Sequence, residues 1–190
     1  MKTQIIIACR FLIVMTLLTG IIYPLCITIF AQMVFPVKAN GSLIVKNGKI
    51  IGSELLAQKS DSSIYFWSRP SAVDYNPIPS GGTNYGPTSK VLQHQVSDRR
   101  RNFVKMNNLI DTMAVPKEMV FASGSGLDPH ISPLAAYMQV NRIVKARNFT
   151  IDQKQKLIHS IKLLSEGLQY SFLGEVRVNV LLLNLEVDKL

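Results

Sequence analysis

His130, the serines just before it and two glycine-rich loops are the residues from which this chain could build chemistry. His130 follows Asp128-Pro129 and lies a few positions beyond Ser123 and Ser125, so serine, histidine and aspartate occur within one short stretch. Nucleophilic hydrolysis needs more than those residue types. A nucleophile elbow has the form Gly-x-Ser-x-Gly, and Ser123-Gly124-Ser125-Gly126 does not supply it. Residues this close in sequence also rarely face one another as a triad requires. No catalytic residue is expected here, and an independently acting, membrane-anchored hydrolase or ligand-binding domain is the rival reading. His94 and His159 fall on predicted helices with no acid or cysteine at ligand spacing, and read as plain surface positions. Cys9 and Cys26 both lie in the first 26 residues, so the bulk of the chain has no thiol nucleophile and no Cys-based zinc site. No metal site is expected.

Phosphate binding is the second chemistry to consider. There is no Gly-x-x-x-x-Gly-Lys-Ser/Thr loop. Ser80-Gly81-Gly82-Thr83-Asn84 and Ser123-Gly124-Ser125-Gly126 could still present backbone N–H groups to a phosphate. The plainer account is that both are tight turns needing glycine. Arg99, Arg100 and Arg101 form a basic cluster with Lys105. No aromatic stacking platform lies beside it, so nucleic acid is not an expected partner. A solvated helix face is the leading reading, ahead of a surface for anionic lipid or an acidic partner.

The elements that must position these residues begin with an anchor. The 190-residue chain has a net charge of +9 and is 47% apolar, too apolar for a disordered tail and too charged for a polytopic membrane protein. No charged residue occurs from Phe11 to Val37. A helix over 11–35 would be about 37 Å long at 1.5 Å per residue, enough to cross a bilayer core of about 30 Å with tilt. A cleaved signal peptide has a shorter apolar core and a small-residue cleavage site, and Phe30-Ala31-Gln32-Met33 matches that poorly. The expected organisation is a tail over 1–10, a transmembrane helix over 11–35 and a folded extracytoplasmic domain over 36–190. Thr16, Gly20, Pro24 and Thr28 recur every four residues and share a face that a second transmembrane helix could approach closely. Pro24 is expected to kink the helix. The span offers no ionisable group for an ion relay, so any transport path lies in another subunit. Flanking charge does not decide orientation, since Lys2 and Arg10 are balanced by Lys38, Lys46 and Lys49. The short N-terminal tail makes N-inside the default.

Beyond the anchor, Asn47-Gly48 predicts a hairpin over 41–52. Residues 64–67 read as a strand, 74–87 as a long loop, and 89–113 as a helix stopped by Pro116. Residues 119–121 read as a strand. Ser132-Pro133 opens a helix running to Arg147, and a capping box at Thr150 opens another ending near Gly167. Residues 177–185 read as a final, central strand. Helices and strands mix without regular alternation, so the class is α+β. Such a chain reads as an accessory subunit, held to its partner by the membrane helix and the long loop.

Several segments, taken in order, carry a resemblance. They are Thr19-Gly20-Ile21-Ile22-Tyr23-Pro24-Leu25, Tyr65-Phe66-Trp67-Ser68-Arg69-Pro70, Ser80-Gly81-Gly82-Thr83-Asn84-Tyr85-Gly86-Pro87, Ala122-Ser123-Gly124-Ser125-Gly126-Leu127-Asp128-Pro129-His130, and Val178-Asn179-Val180-Leu181. Together they resemble the KdpC family, the small subunits of bacterial Kdp potassium-transporting P-type ATPases. The resemblance implies a complex with KdpA, which binds potassium, KdpB, which hydrolyses ATP through a phosphorylated aspartate, and a tiny KdpF. It implies an inner-membrane location, a cytoplasmic N-terminus and a folded domain outside. It also implies a catalytic chaperone that raises the ATP affinity of KdpB. The loop at Ser80, Gly81 and Gly82 resembles the signature loop of ABC-type ATPases, which extends an ATP contact to Thr83 and Asn84. A loop outside the membrane cannot reach cytoplasmic ATP, so assembly is the simpler role. On this reading the chain holds no cofactor firmly, and potassium is carried by partner subunits. The partner-contact candidates are Thr16, Gly20, Tyr23, Pro24 and Thr28 in the span, with Ser123, Gly124, Ser125, Gly126 and Asp128 in the second loop. Two departures from the family pattern stand out: Leu55-Leu56-Ala57-Gln58-Lys59-Ser60 where an aromatic usually ends the run, and Leu182 where many relatives carry Glu.

Overall fold

The computed structural model describes residues 2–190, in two units, Met1–Ile51 and Gly52–Leu190. The first unit is dominated by a continuous helix over Lys2–Val34, whose apolar window has a mean hydropathy of 2.5. It starts at Lys2 rather than Phe11, because residues 2–10 contain no proline or glycine to break it. Helix α1 (Lys2–Leu17) and helix α2 (Tyr23–Val34) are joined by a π-helical turn over Leu18–Ile22, closed by the Tyr23 N–H donating to the Leu18 carbonyl. Pro24 has no N–H to donate to the preceding turn, and the backbone there takes the wider π pattern. Pro36 ends the helix by driving Phe35 out of the helical region, to φ −145° and ψ 65°. A single turn, α3 (Pro36–Ala39), follows.

Strands β1 (Leu43–Lys46) and β2 (Lys49–Ser53) form the expected hairpin. Asn47 and Gly48 take φ of 52° and 74°, the left-handed pair that a two-residue turn requires.

The second unit places helices against a small antiparallel sheet of order β3-β5-β4. Its strands are β3 (His130–Ile131), β4 (Ser165–Glu166) and β5 (Arg177–Asn179). The register sets His130 opposite Asn179, and Ser165 opposite Val178. Helices α4 (Lys90–Met106), α5 (Pro133–Arg147), α6 (Ile151–Leu164) and α7 (Val180–Val187) complete it. Phe66, Phe103, Ile143, Leu157, Ile161, Val178 and Leu183 lie at the centre of the core. The sequence-level starts of α5 and α6 hold. The Ser132 hydroxyl accepts from the Ala135 N–H at 3.1 Å, and Thr150 with Gln153 forms a reciprocal capping box.

Four expected elements differ. The strand expected over 177–185 stops at Asn179, whose side chain accepts from the N–H groups of Leu181 and Leu182 and opens α7. Buried Val180, Leu183, Asn184 and Val187 then follow helical spacing, which a mostly apolar run hides from a count of alternation. Residues 64–67 form no strand. Their backbone groups bond to side chains instead, with the Phe66 N–H donating to Asn184 Oδ1 at 2.7 Å and the Trp67 N–H to Gln139 Oε1 at 2.7 Å. The helix expected to reach Met113 ends at Met106, before Pro116 acts. Asn107 bonds back to the Phe103 carbonyl at 2.8 Å and Asn108 turns left-handed at φ 51°. In place of a strand over 119–121 there is a single 3-10 turn, Lys117–Met119. The long loop over 74–87 contains neither helix nor strand, as expected.

Candidate functional site: two glycine loops joined beside a polar cleft

The fold brings the two glycine loops together. The Gly81 N–H donates to the Ser125 carbonyl at 2.9 Å. A Cβ on Gly82 would meet the Gly124 carbonyl at 3.1 Å. Gly126 has φ +73°, and a Cβ there would come within 2.9 Å of the Gly81 carbonyl. Gly82 and Gly126 therefore face the backbone of the opposite loop too closely for a side chain, whereas Gly81 and Gly124 have open space at their Cβ positions. The second loop is fixed further by the Ser123 N–H donating to the Pro70 carbonyl at 3.0 Å and the Leu127 N–H to the Ser125 hydroxyl at 3.1 Å. Several of the amides that could have cradled a phosphate are committed to protein acceptors.

Asp128 anchors the end of this junction. Its Oδ2 lies 2.8 Å from Arg69 Nη1, and its Oδ1 accepts from the His130 backbone N–H at 3.0 Å, with His130 Nδ1 at 3.4 Å. Burial alone would raise the Asp128 pKa. Hydrogen bonds from the side chain and backbone of His130 and from Arg69 outweigh it and bring the carboxyl to about 2. The lowered pKa means the ionised form favours the fold. Relative to an ordinary 3.8, that stabilisation is fully present above about pH 4 and is lost as pH falls through about 2. Asp128→Asn is expected to cost roughly 2 kcal/mol at neutral pH, at 1.36 kcal/mol per pKa unit. The difference from wild type should shrink as pH falls from about 4 and vanish below about 2, and chemical denaturation across pH measures it. Tyr75 closes the other side, its hydroxyl donating to the Arg69 carbonyl at 2.8 Å; burial, with Asp61 and Asp74 nearby, pushes that phenol up to about 12.

A cleft of about 230 Å³ opens beside the junction, lined by Arg69, Glu118, Asp128, His130, Glu175 and Arg177 among others. Its lining holds three acids, Glu118, Asp128 and Glu175, and two arginines with His130, so neither sign of charge dominates it. The serine, histidine and aspartate types do not assemble into a triad. The Ser125 hydroxyl accepts from Leu127, Ser123 is buried, and no serine–His130 hydrogen bond occurs among the described residues. Among the described residues no three His, Cys, Asp or Glu side chains cluster as a metal site.

His94 departs from expectation, because Asp98 lies one turn on and within 3.1 Å of Nδ1; both side chains are exposed, so this is a surface pair. The basic cluster is dispersed by local partners. Arg99 donates to the Val120 carbonyl at 3.1 Å, Arg100 pairs with Asp111 at 2.9 Å, and Arg101 pairs with Asp98.

In the membrane helix, Thr16, Gly20, Tyr23, Pro24 and Thr28 are all exposed. Steps of four residues overshoot a 3.6-residue turn, so Thr16 and Thr28 would drift apart by about 120° around a straight α-helix. The π turn between them takes in one extra residue and absorbs roughly 100° of that drift. Gly20 is open, with nothing within 4 Å of a Cβ position, and the Thr28 hydroxyl is satisfied by the Pro24 carbonyl at 2.8 Å. The result is a nearly straight, small-residue stripe with no unsatisfied hydroxyl at Thr28.

Sequence reasoning missed the polar groups that hold this architecture: Arg69, Gln139, Arg142 and Asn184. The available signal was two polar residues, Gln139 and Arg142, on the same face of α5 as Ala135, Ala136, Val140 and Ile143.

Comparison with known proteins agrees along nearly the whole chain. The family described as KdpC, the c chain of K+-transporting ATPase, matches residues 5–189. A protein of Leptospira interrogans named potassium-transporting ATPase KdpC subunit is 44% identical, over 96% of this chain and 92% of its own length. Proteins with the same name from Methylococcus capsulatus and Geotalea uraniireducens are each 46% identical, over 94% and 96% of this chain and 94% and 96% of their own lengths. The match therefore takes in the membrane helix, both glycine loops, the Arg69–Asp128 pair and the last helix, and the chain belongs to the KdpC family of K+-transporting ATPase subunits.

Proposed function

We propose that this chain assembles and stabilises a high-affinity, ATP-driven potassium uptake complex, with the two-loop junction and the small-residue stripe as its partner contacts. The chain is a KdpC-type accessory subunit of a K+-transporting ATPase and not its ATP-hydrolysing component. The partners in this reading are KdpA, KdpB and KdpF. The orientation is a cytoplasmic tail over 1–10, a crossing over 11–35 in the inner membrane, and an extracytoplasmic domain over 36–190.

The observation that carries the assembly role is the closure of the two glycine loops on each other. Amides of Gly81, Ser123 and Leu127 are bonded to protein, which builds a rigid surface rather than an open phosphate cradle. The catalytic-chaperone role, with an ATP contact at Ser80, Gly81, Gly82, Thr83 and Asn84, is the second reading. It rests on the likeness of that loop to an ATPase signature loop. In both readings potassium is cargo of the partner subunits and no cofactor is held firmly.

The test is recovery of the tagged full-length chain from native membranes in mild detergent. Two larger membrane subunits are expected to co-purify. Gly20→Leu should reduce their yield by about tenfold, because a branched side chain on the stripe separates the helix backbones. Recovery of the wild-type chain as a monomer without partners would overturn the assembly role. Saturable ATP binding by the purified full-length chain, lost on substitution of Gly81 and Gly82, would favour the chaperone role instead.

A further inference from the structure

Between β4 and β5 the chain makes a hairpin whose tip carries two exposed aromatic rings. From Gly167 to Gly174 there is no charged residue in a chain of net charge +9. Tyr170 is 83% exposed and Phe172 74% exposed, with Leu168 and Leu173 beside them also exposed. Ile78, Ile110, Ile151 and Leu163 are as exposed elsewhere in the unit, but they are aliphatic; the tip gathers two exposed rings and two leucines within six residues, a concentration that marks a contact site.

The tip is also held in shape. The Gln169 N–H donates to the Leu173 carbonyl at 2.8 Å, and the Leu173 N–H returns to the Gln169 carbonyl at 2.9 Å. Tyr170 and Ser171 take φ of 52° and 68°, a left-handed conformation that neither residue type favours. Such backbone persists where the surroundings over-determine it, and it clusters at ligand clamps and switch regions. Past Gly174, Glu175 and Arg177 turn directly into the cleft beside Arg69 and Asp128, so the tip is continuous with the candidate site.

We propose that this tip is a docking element of the chain, seating Tyr170 and Phe172 in an apolar, uncharged pocket on the extramembrane surface of another subunit of the same complex. The inference rests on the subunit reading above. Two observations favour a protein pocket over a lipid surface. The tip has no Lys or Arg to meet anionic headgroups, and a pre-shaped pair of rings gains from a shaped receptor by avoiding ordering costs on binding. Aromatic anchors of this kind carry a large share of the energy at protein interfaces.

The experiment uses the tagged full-length chain expressed with its complex. Tyr170→Ser combined with Phe172→Ser is expected to reduce co-purifying larger subunits by at least about tenfold. Membrane integration and thermal stability of the chain itself should be unchanged, because both rings are exposed and lie outside the core. Tyr170→Phe should restore association. If the wild-type chain brings down no larger subunit, the subunit reading fails and this inference with it. If wild type and the double variant bring down equal amounts, only the docking role of the tip is overturned. Tyr170→Trp in the complex reconstituted with brominated lipids separates the other occupants. Quenching beyond that of the wild-type chain would place the tip in the bilayer and overturn the proposal. A photo-crosslink from position 170 to a second copy of this chain, rather than to a larger subunit, would overturn it as well.

Discussion

Arg142→Ala is expected to lower the stability of the folded domain by about 2–4 kcal/mol, the cost of unpaired buried carbonyls together with lost packing. Arg142 is only 4% exposed, and its guanidinium sits 4.0 Å above the Trp67 ring. Its Nε donates to the Ser63 carbonyl at 3.2 Å, and one terminal nitrogen serves both the Tyr65 carbonyl at 2.5 Å and Gln139 Oε1 at 3.0 Å. Burial lowers the Arg142 pKa to about 10, which leaves it charged at neutral pH. The residue thus organises a segment that has no strand partners. Residues 63–67 depend on Arg142, Gln139 and Asn184 for the hydrogen bonds that a sheet would otherwise supply. Removing the guanidinium leaves buried carbonyls unpaired and opens a cavity under Trp67. Arg142→Lys should recover only a minority of the loss, because an ammonium can neither fork between these acceptors nor stack flat on the indole. Thermal unfolding of the detergent-solubilised full-length chain, followed by the fluorescence of its one tryptophan, measures both variants. An Arg142→Ala chain that unfolds within a degree of wild type would contradict this account of the segment.

Gly126→Val is expected to be the most damaging change in the two-loop junction, at about 3 kcal/mol or more. Two costs add. A β-branched residue at φ +73° carries roughly 1–2 kcal/mol of backbone strain. Its Cβ would also stand 2.9 Å from the Gly81 carbonyl, which is backbone and cannot swing aside. The Gly81–Ser125 hydrogen bond is the expected casualty. The readout is twofold: a lower unfolding midpoint, and cleavage by added protease within 74–87 that wild type resists. Gly124→Ala serves as the control, because nothing lies within 4 Å of a Cβ there and its φ is unremarkable; it should behave like wild type.

Much of the architecture was legible in the residues. A stretch free of charge from Phe11 to Val37 can satisfy its backbone in lipid only as a helix, so the apolar helix follows from composition alone. The Asn47-Gly48 turn and the caps at Ser132 and Thr150 are local events, decided by side chains within a few positions of the bonds they make. The family follows from the order of short segments along the chain.

What the residues could not announce are the decisions made at a distance. An apolar run from Val178 to Leu185 satisfies strand and helix patterns equally, and Asn179 ends the strand because its side chain caps the helix after it and also donates to the Glu54 carbonyl at 2.7 Å. Residues 64–67 have strand composition, yet Gln139 and Asn184, far along the chain, take the hydrogen bonds that a neighbouring strand would have made. The union of Gly81 with Ser125, and of Arg69 with Asp128, joins positions whose separation carries no periodic signal. Local bonds and the hydrophobic pattern are properties of neighbouring residues and so are written in the sequence. Which distant polar group satisfies a given buried amide depends on how the helices pack, and only the tertiary structure decides it.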